Sequence, residues 1–175
     1  MGALLVITGP PGAGKSTVAR LVAARFEPSV LVEGDAFFAF LDQGAVPPWL
    51  PESHAQNTVV TEAAGAAAGR FADVYTTVYD GIVGPWFLDT FLAASGLAEV
   101  HYVVLLPAVE TCLARVAART GHGFRDQAAA RKMHHEFTSF EVAARHVCVD
   151  DSGSPEATAA EVLMRYELGS LLYEA

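Results

Sequence analysis

The sequence predicts an α/β protein, a parallel sheet with helices on both of its faces. Three observations lead there. Gly9-Pro10-Pro11-Gly12-Ala13-Gly14-Lys15-Ser16-Thr17 fits the spacing Gly-x-x-x-x-Gly-Lys-Ser, with the apolar run 4–8 before it and Val18, Leu21 and Val22 at helical spacing after it. Short apolar runs then alternate with helical patterns along the chain. Three of those runs end in a carboxylate, Asp35, Asp80 and Asp150.

Strand, glycine loop and helix is the arrangement that phosphate binding needs. Gly9, Gly12 and Gly14 let the backbone turn tightly, so that amide hydrogens around Gly12, Ala13, Gly14 and Thr17 converge on phosphate oxygens at a helix N-terminus. Lys15 adds a mobile positive charge for the β- and γ-phosphates, and Ser16 offers a hydroxyl to Mg²⁺. The loop therefore marks a nucleotide-phosphate protein. It leaves open whether the γ-phosphate goes to water or to a second substrate.

The elements follow in order. A second strand covers 30–35 and ends at Asp35, followed by a short aromatic helix over 36–41. A loop over 44–51 carries Pro47, Pro48, Trp49 and Pro51. An alanine-rich helix spans 53–71. The third strand, 74–80, ends at Asp80, then comes a loop over 81–86 and a short helix over 87–94. A fourth strand (100–106) and helix (108–119) precede a loop at 120–125. A helix over 126–137 begins with Asp126 as its N-cap. The fifth strand is 147–150, and Pro155 opens the last helix in its favoured first position. Parallel strands require right-handed crossovers, and ligands in such sheets bind beyond the carboxyl ends of the strands. The phosphate loop, Asp35, Asp80, Pro107 and Asp150 then face one crevice.

The 175 residues form one domain, 1–175, large enough for a proper core. No apolar run reaches ~18 residues, so no membrane span is expected. No leader pattern opens the chain, and the expected location is cytoplasmic. Net charge is −9 and the only lysines are Lys15 and Lys132, with no basic stripe for nucleic acid and no charge suited to anionic lipid. The partners expected are a nucleoside triphosphate and a small molecule. Cys112 and Cys148 lie far apart with no zinc spacing and read as reduced core residues.

Phosphoryl transfer needs a carboxylate to hold Mg²⁺ and another to orient and deprotonate the attacking hydroxyl. Asp35 and Asp80 suit these roles. Each has a plainer reading: Asp35 as the cap of the aromatic helix, Asp80 as a turn former before Gly81. Arg115, Arg119 and Arg125 border the loop that holds Gly121 and Gly123. They read as a lid over the transferring phosphates or as solvated helix-end charges. Arg131 and Lys132 read as surface charges that could assist. Phe37, Phe38, Trp49 and Trp86 line an acceptor pocket or pack in the core. Arg70 pairs with an acidic acceptor group or with Asp73. His54, His134 and His135 have no partner spacing and read as surface or helix residues.

On these residues the chain resembles the small P-loop kinases of the nucleoside-monophosphate-kinase-like superfamily. It is most similar to the branch that holds gluconate kinase, shikimate kinase and the chloramphenicol phosphotransferase-like proteins. The resemblance spans nearly the whole chain and is most specific at the phosphate loop, then at Gly34-Asp35 and the arginine-bordered loop. It implies a three-layer P-loop NTPase fold with a five-stranded parallel sheet in order 2-3-1-4-5, and a lid over about 119–131. It also implies a nucleotide base near 151–155, where Gly153 stands, and Asp35 in the place of the acceptor-orienting acid. Shikimate kinase carries a second acid after its second strand and a Gly-Gly-Gly after its third; both are missing here. Adenylate kinase reads Asp-Gly-Phe-Pro-Arg where this chain reads Asp80-Gly81-Ile82-Val83-Gly84-Pro85-Trp86, with tryptophan in place of the phosphate-gripping arginine. A hydroxyl on a less charged, partly apolar molecule fits better: a sugar, cyclitol, nucleoside or antibiotic.

The function so read is an ATP- (or GTP-) dependent, Mg²⁺-requiring phosphotransferase. Its catalytic residues are Lys15, Asp35, Arg119 and Arg125. The nucleotide is held by Gly12 to Thr17 with Arg115, Arg119 and Gly153. Asp35, Phe37, Phe38, Trp49, Arg70, Asp80 and Trp86 hold the acceptor, and Ser16 and Asp80 hold the metal. The competing reading is a nucleotide-binding regulatory NTPase with no acceptor. A GTPase switch lacks its Asn-Lys-x-Asp motif here, and the acidic charge argues against a polynucleotide end kinase.

Overall fold

Five strands, β1 (Leu4–Thr8), β2 (Ser29–Glu33), β3 (Thr76–Asp80), β4 (Glu99–Leu105) and β5 (Val147–Cys148), pair in parallel in the spatial order β2-β3-β1-β4-β5. The structure is a computed structural model that describes residues 2–119, 124–149 and 153–174. The strand order is the one the family resemblance implies. Side chains alternate between the two faces, as the period-two geometry of a strand requires. Leu5, Ile7, Val78 and Val103 pack with α1 (Lys15–Ala23) and α7 (Pro155–Glu167) on one face. Leu4, Val6, Tyr79 and Tyr102 pack with α3 (His54–Ala72) and α4 (Pro85–Ser95) on the other. Strands covered on both sides read as continuous apolar runs, which is why they stood out in the sequence.

A sixth strand, β6 (Leu172–Glu174), pairs antiparallel with the start of β4. It adds an antiparallel member to the five expected parallel strands. The described part of β5 meets only Val104 and Leu105, and β6 takes up the edge at Glu99 to His101. An unpaired strand edge is a liability, and a short return strand closes it. Three residues at the end of a helical segment carry too little pattern to be seen in advance.

The alanine-rich helix α3 lies very close to α4. A Cβ added at Gly65 would come 2.6 Å from the Phe91 carbonyl oxygen, and one at Gly69 would come 2.0 Å from that of Ser95. Small residues at these positions let the two backbones touch. The remaining helices are α2 (Asp35–Phe38), α5 (Val109–Ala118) and α6 (Gln127–Ser139). Asp126 caps α6 as expected, its carboxylate accepting from the Ala129 amide at 2.9 Å. No helix among the described residues is long and apolar enough to cross a membrane.

Candidate active site at the carboxyl edge of the sheet

The register of the sheet brings the chemistry together. Ile7 of β1 lies beside Asp80, and Asp80 lies beside Glu33 of β2. The phosphate loop, Asp80 and Asp35 are thus neighbours in space. Gly14, at φ +94°, is the N-cap of α1, so the helix begins at Lys15 with its amides free for an anion. Gly12, at φ +85°, could carry no side chain, because a Cβ there would sit 2.3 Å from the Cys112 carbonyl oxygen. The loop is therefore seated directly on α5. Lys15 bends back over it and donates to the Pro10 carbonyl at 3.2 Å.

Charged groups converge on Lys15 and Asp80. Burial pushes the Lys15 ammonium below its usual range, Asp80 and Asp35 oppose that shift, and Arg119 adds to it. Burial pushes the Asp80 carboxyl above its usual range. The Ser16 hydroxyl and Lys15 pull it back, while Asp35 and Glu33 push it further up. Asp80 is 8% exposed, and Ser16 and Lys15 both favour its charged form. Asp35 is exposed and lies inside the first turn of α2. Gly34 is the N-cap of that helix and no side chain caps it. The Asp35 carboxylate is therefore left for the crevice.

Of the arginines, Arg115 donates to the Gly12 carbonyl at 3.5 Å, and Arg119, at the C-cap of α5, acts electrostatically on Lys15. Arg125 is exposed in the segment before α6. The rest of the expected lid, residues 120–123, lies outside the described residues, as do Asp150, Asp151 and Ser152 of the expected base loop. Gly153 is described, exposed, at φ +67°.

The aromatic residues divide. Trp49 and Trp86 line a groove of about 280 Å³ with His54, Phe87, Lys132 and Phe140. Trp49 packs edge-on against Phe124 at 5.0 Å, and His54 stacks on Phe87 at 5.5 Å. Lys132 donates to the Trp49 carbonyl at 3.0 Å and pairs with Glu136, so its charge is committed. Phe37 and Phe38 sit on α2 beside Asp35 and do not line the groove; Phe37 packs against the core together with Trp86.

Arg70 is a correction. It lies in the last turn of α3, just before β3 begins and so at the opposite end of the sheet, and it pairs with Asp73 at 2.7 Å. Helix α3 runs antiparallel to the strand after it, which brings its start, not its end, to the crevice. For the same reason His54, read as a surface residue, belongs to the groove. Two further residues carried no signal: Thr8, which accepts from the Val83 amide at 2.9 Å, and Tyr102, whose hydroxyl donates to the Val83 carbonyl at 2.9 Å. Together they fasten the loop after Asp80.

Comparison with known proteins agrees with this architecture. The family described as AAA domain matches residues 4–141. No curated protein matches the chain. Among solved structures, a sugar kinase from a Janibacter species is similar with a TM-score of 0.72 and 19% identity over 97% of each chain. The tunicamycin resistance protein of Deinococcus radiodurans gives 0.68 and 17% over 95% of this chain and 96% of its own. Shikimate kinase from Acinetobacter baumannii, solved with shikimate, gives 0.66 and 18% over 98% and 96%. With a phosphate loop seated on α5, an acid after β3 and this strand order, the chain belongs to the AAA-domain family and has the P-loop kinase-like fold.

Proposed function

We propose that this protein transfers the γ-phosphate of ATP, or GTP, to a hydroxyl of a small and largely uncharged molecule. The observation that carries the reading is the pair of carboxylates around Lys15. Asp80 is buried beside Lys15 and Ser16, whereas Asp35 is exposed and caps no helix. Ser16 and Asp80 offer hydroxyl and carboxylate oxygens, the donor set that a hard cation such as Mg²⁺ takes. When bound with the phosphates, such a cation neutralises charge on the group in transfer. Asp35 then orients the acceptor hydroxyl and takes its proton. Lys15, Arg115 and Arg119 supply fixed positive charge where negative charge grows, and Arg125 adds to it from the lid.

The acceptor class follows from the groove. It is aromatic, none of its described lining residues is arginine, and its lysine is already paired. A phosphate-bearing acceptor finds no bidentate partner there. Sugars, cyclitols, nucleosides and antibiotics fit, and the names of the fold neighbours, a sugar kinase, a tunicamycin resistance protein and a shikimate kinase, span the same range. The test is a screen of such compounds with Mg-ATP, with phosphorylated product read by mass. A product together with acceptor-stimulated nucleotide turnover supports the kinase. Slow hydrolysis that no hydroxyl compound stimulates supports an NTPase without an acceptor.

A further inference from the structure

Tyr79 stands at the end of β3 with 4% of its surface exposed. Its ring packs on Phe91 at 4.8 Å. A Cβ added at Gly34 would lie 2.3 Å from that hydroxyl oxygen, and one at Gly81 would lie 2.7 Å from it. Gly34 precedes Asp35 and Gly81 follows Asp80, so the phenol lies between the two acid-bearing turns. Those turns are themselves joined, the Gly34 amide donating to the Asp80 carbonyl at 2.7 Å.

A buried tyrosine hydroxyl ordinarily has a partner. Among the described residues, the one sealed side-chain polar atom with no partner is His101 Nδ1. Tyr79 Oη is not such a sealed atom, and no hydrogen bond joins it to another described residue. Phenylalanine would satisfy the packing at this position; the oxygen calls for a group from outside. That group must tolerate Asp35 and Asp80, which repel carboxylates and phosphates. A hydroxyl meets both demands, because it donates to a carboxylate and accepts from a phenol.

We propose that Tyr79 is a specificity-determining residue of the acceptor site: its hydroxyl donates a hydrogen bond to the acceptor hydroxyl oxygen whose hydrogen faces Asp35. This rests on the kinase reading above and deepens it. During transfer the proton passes to Asp35 and the oxygen bonds to the γ-phosphorus. The bond to the β,γ-bridging oxygen breaks, and the nucleoside diphosphate leaves with that electron pair. Tyr79 keeps its own proton throughout and occupies one lone pair, leaving another free to attack.

Glycerol serves as a minimal hydroxyl probe in crystals grown with Mg-ADP. The expected result is a glycerol or water oxygen within hydrogen-bond distance of both Tyr79 Oη and the Asp35 carboxylate. It should be lost in Tyr79→Phe, with Mg-ADP binding and thermal unfolding unchanged. A Tyr79 hydroxyl bonded to a protein carbonyl, or one with no oxygen shared with Asp35, overturns the inference. So does a Tyr79→Phe protein that retains the oxygen or loses Mg-ADP affinity. Failure of the wild-type protein to bind Mg-ADP counts against the kinase reading instead, while the oxygen at Tyr79 still decides this one.

Discussion

Ser16 and Asp80 share the carboxyl edge of the sheet, where the hydroxyl at the start of α1 favours the charged form of the carboxylate at the end of β3. In the proposed function Asp80 serves the phosphate side and Asp35 the acceptor side. Replacing each with asparagine should therefore separate binding from chemistry. Asp80→Asn should weaken Mg-nucleotide binding, read by calorimetry with and without Mg²⁺. Asp35→Asn should leave that binding intact and lower phosphorylation of the true acceptor by ~10²–10⁴-fold. Collapse of Mg-nucleotide affinity in Asp35→Asn would exchange the two roles.

In the proposed reaction Lys15 carries charge that follows the migrating phosphoryl group. Lys15→Ala should reduce turnover by ~10²-fold or more. Its side chain makes one backbone hydrogen bond within the loop, so the melting curve should change little. Near-normal turnover in a folded Lys15→Ala protein would remove the phosphate-loop assignment.

Arg119 acts on Lys15 across the crevice, and Arg125 stands before α6. Contacts that strengthen in the transition state lower kcat more than they weaken ground-state binding. Arg119→Ala and Arg125→Ala should therefore lower kcat while nucleotide Kd moves less. If only the KM for nucleotide rises, these arginines bind the ground state.

Gly69 is a packing position with no part in chemistry. An added methyl would press on the Ser95 backbone oxygen, which cannot move aside as a side chain tip would. Gly69→Ala should destabilise the fold by about 1–3 kcal/mol, the usual range for overpacking, seen as a lower Tm. An unchanged Tm would show that α3 and α4 separate freely.

His101 and His146 are both held below the usual histidine range, by burial first in each case; for His146 the hydrogen bond with the Tyr102 carbonyl opposes this and Arg145 adds to it. The folded state thus binds protons less readily than the unfolded chain. Stability contributed by their neutral forms is full above the unfolded pKa of about 6.5 and falls as pH drops below it toward the folded values. Tm should decline as pH falls from ~7 to ~5. His101→Phe should flatten part of that decline; an identical slope in the variant would exclude His101 as a contributor.

The phosphate loop was legible because its chemistry is local: glycines, lysine and serine at fixed spacing between a strand and a helix leave few alternative structures. The strands were legible because burial on both faces makes them continuously apolar, and Asp126 because a cap acts only on its own helix. The surroundings of Asp35 and Asp80 were not, since a cap or a turn competes with the functional reading of each until the neighbouring strand is in place. Strand register placed Asp80 beside Ser16 and made Gly34 rather than Asp35 the cap. Helix direction moved Arg70 to the far end of the sheet and brought His54 to the groove. The hydroxyl of Tyr79 and the small strand β6 depend on what lies beside them, a glycine on another strand and an open edge. Local pattern determined which elements form and where phosphate is held; long-range packing decided which side chains share the crevice, because those distances are set between strands and not along the chain.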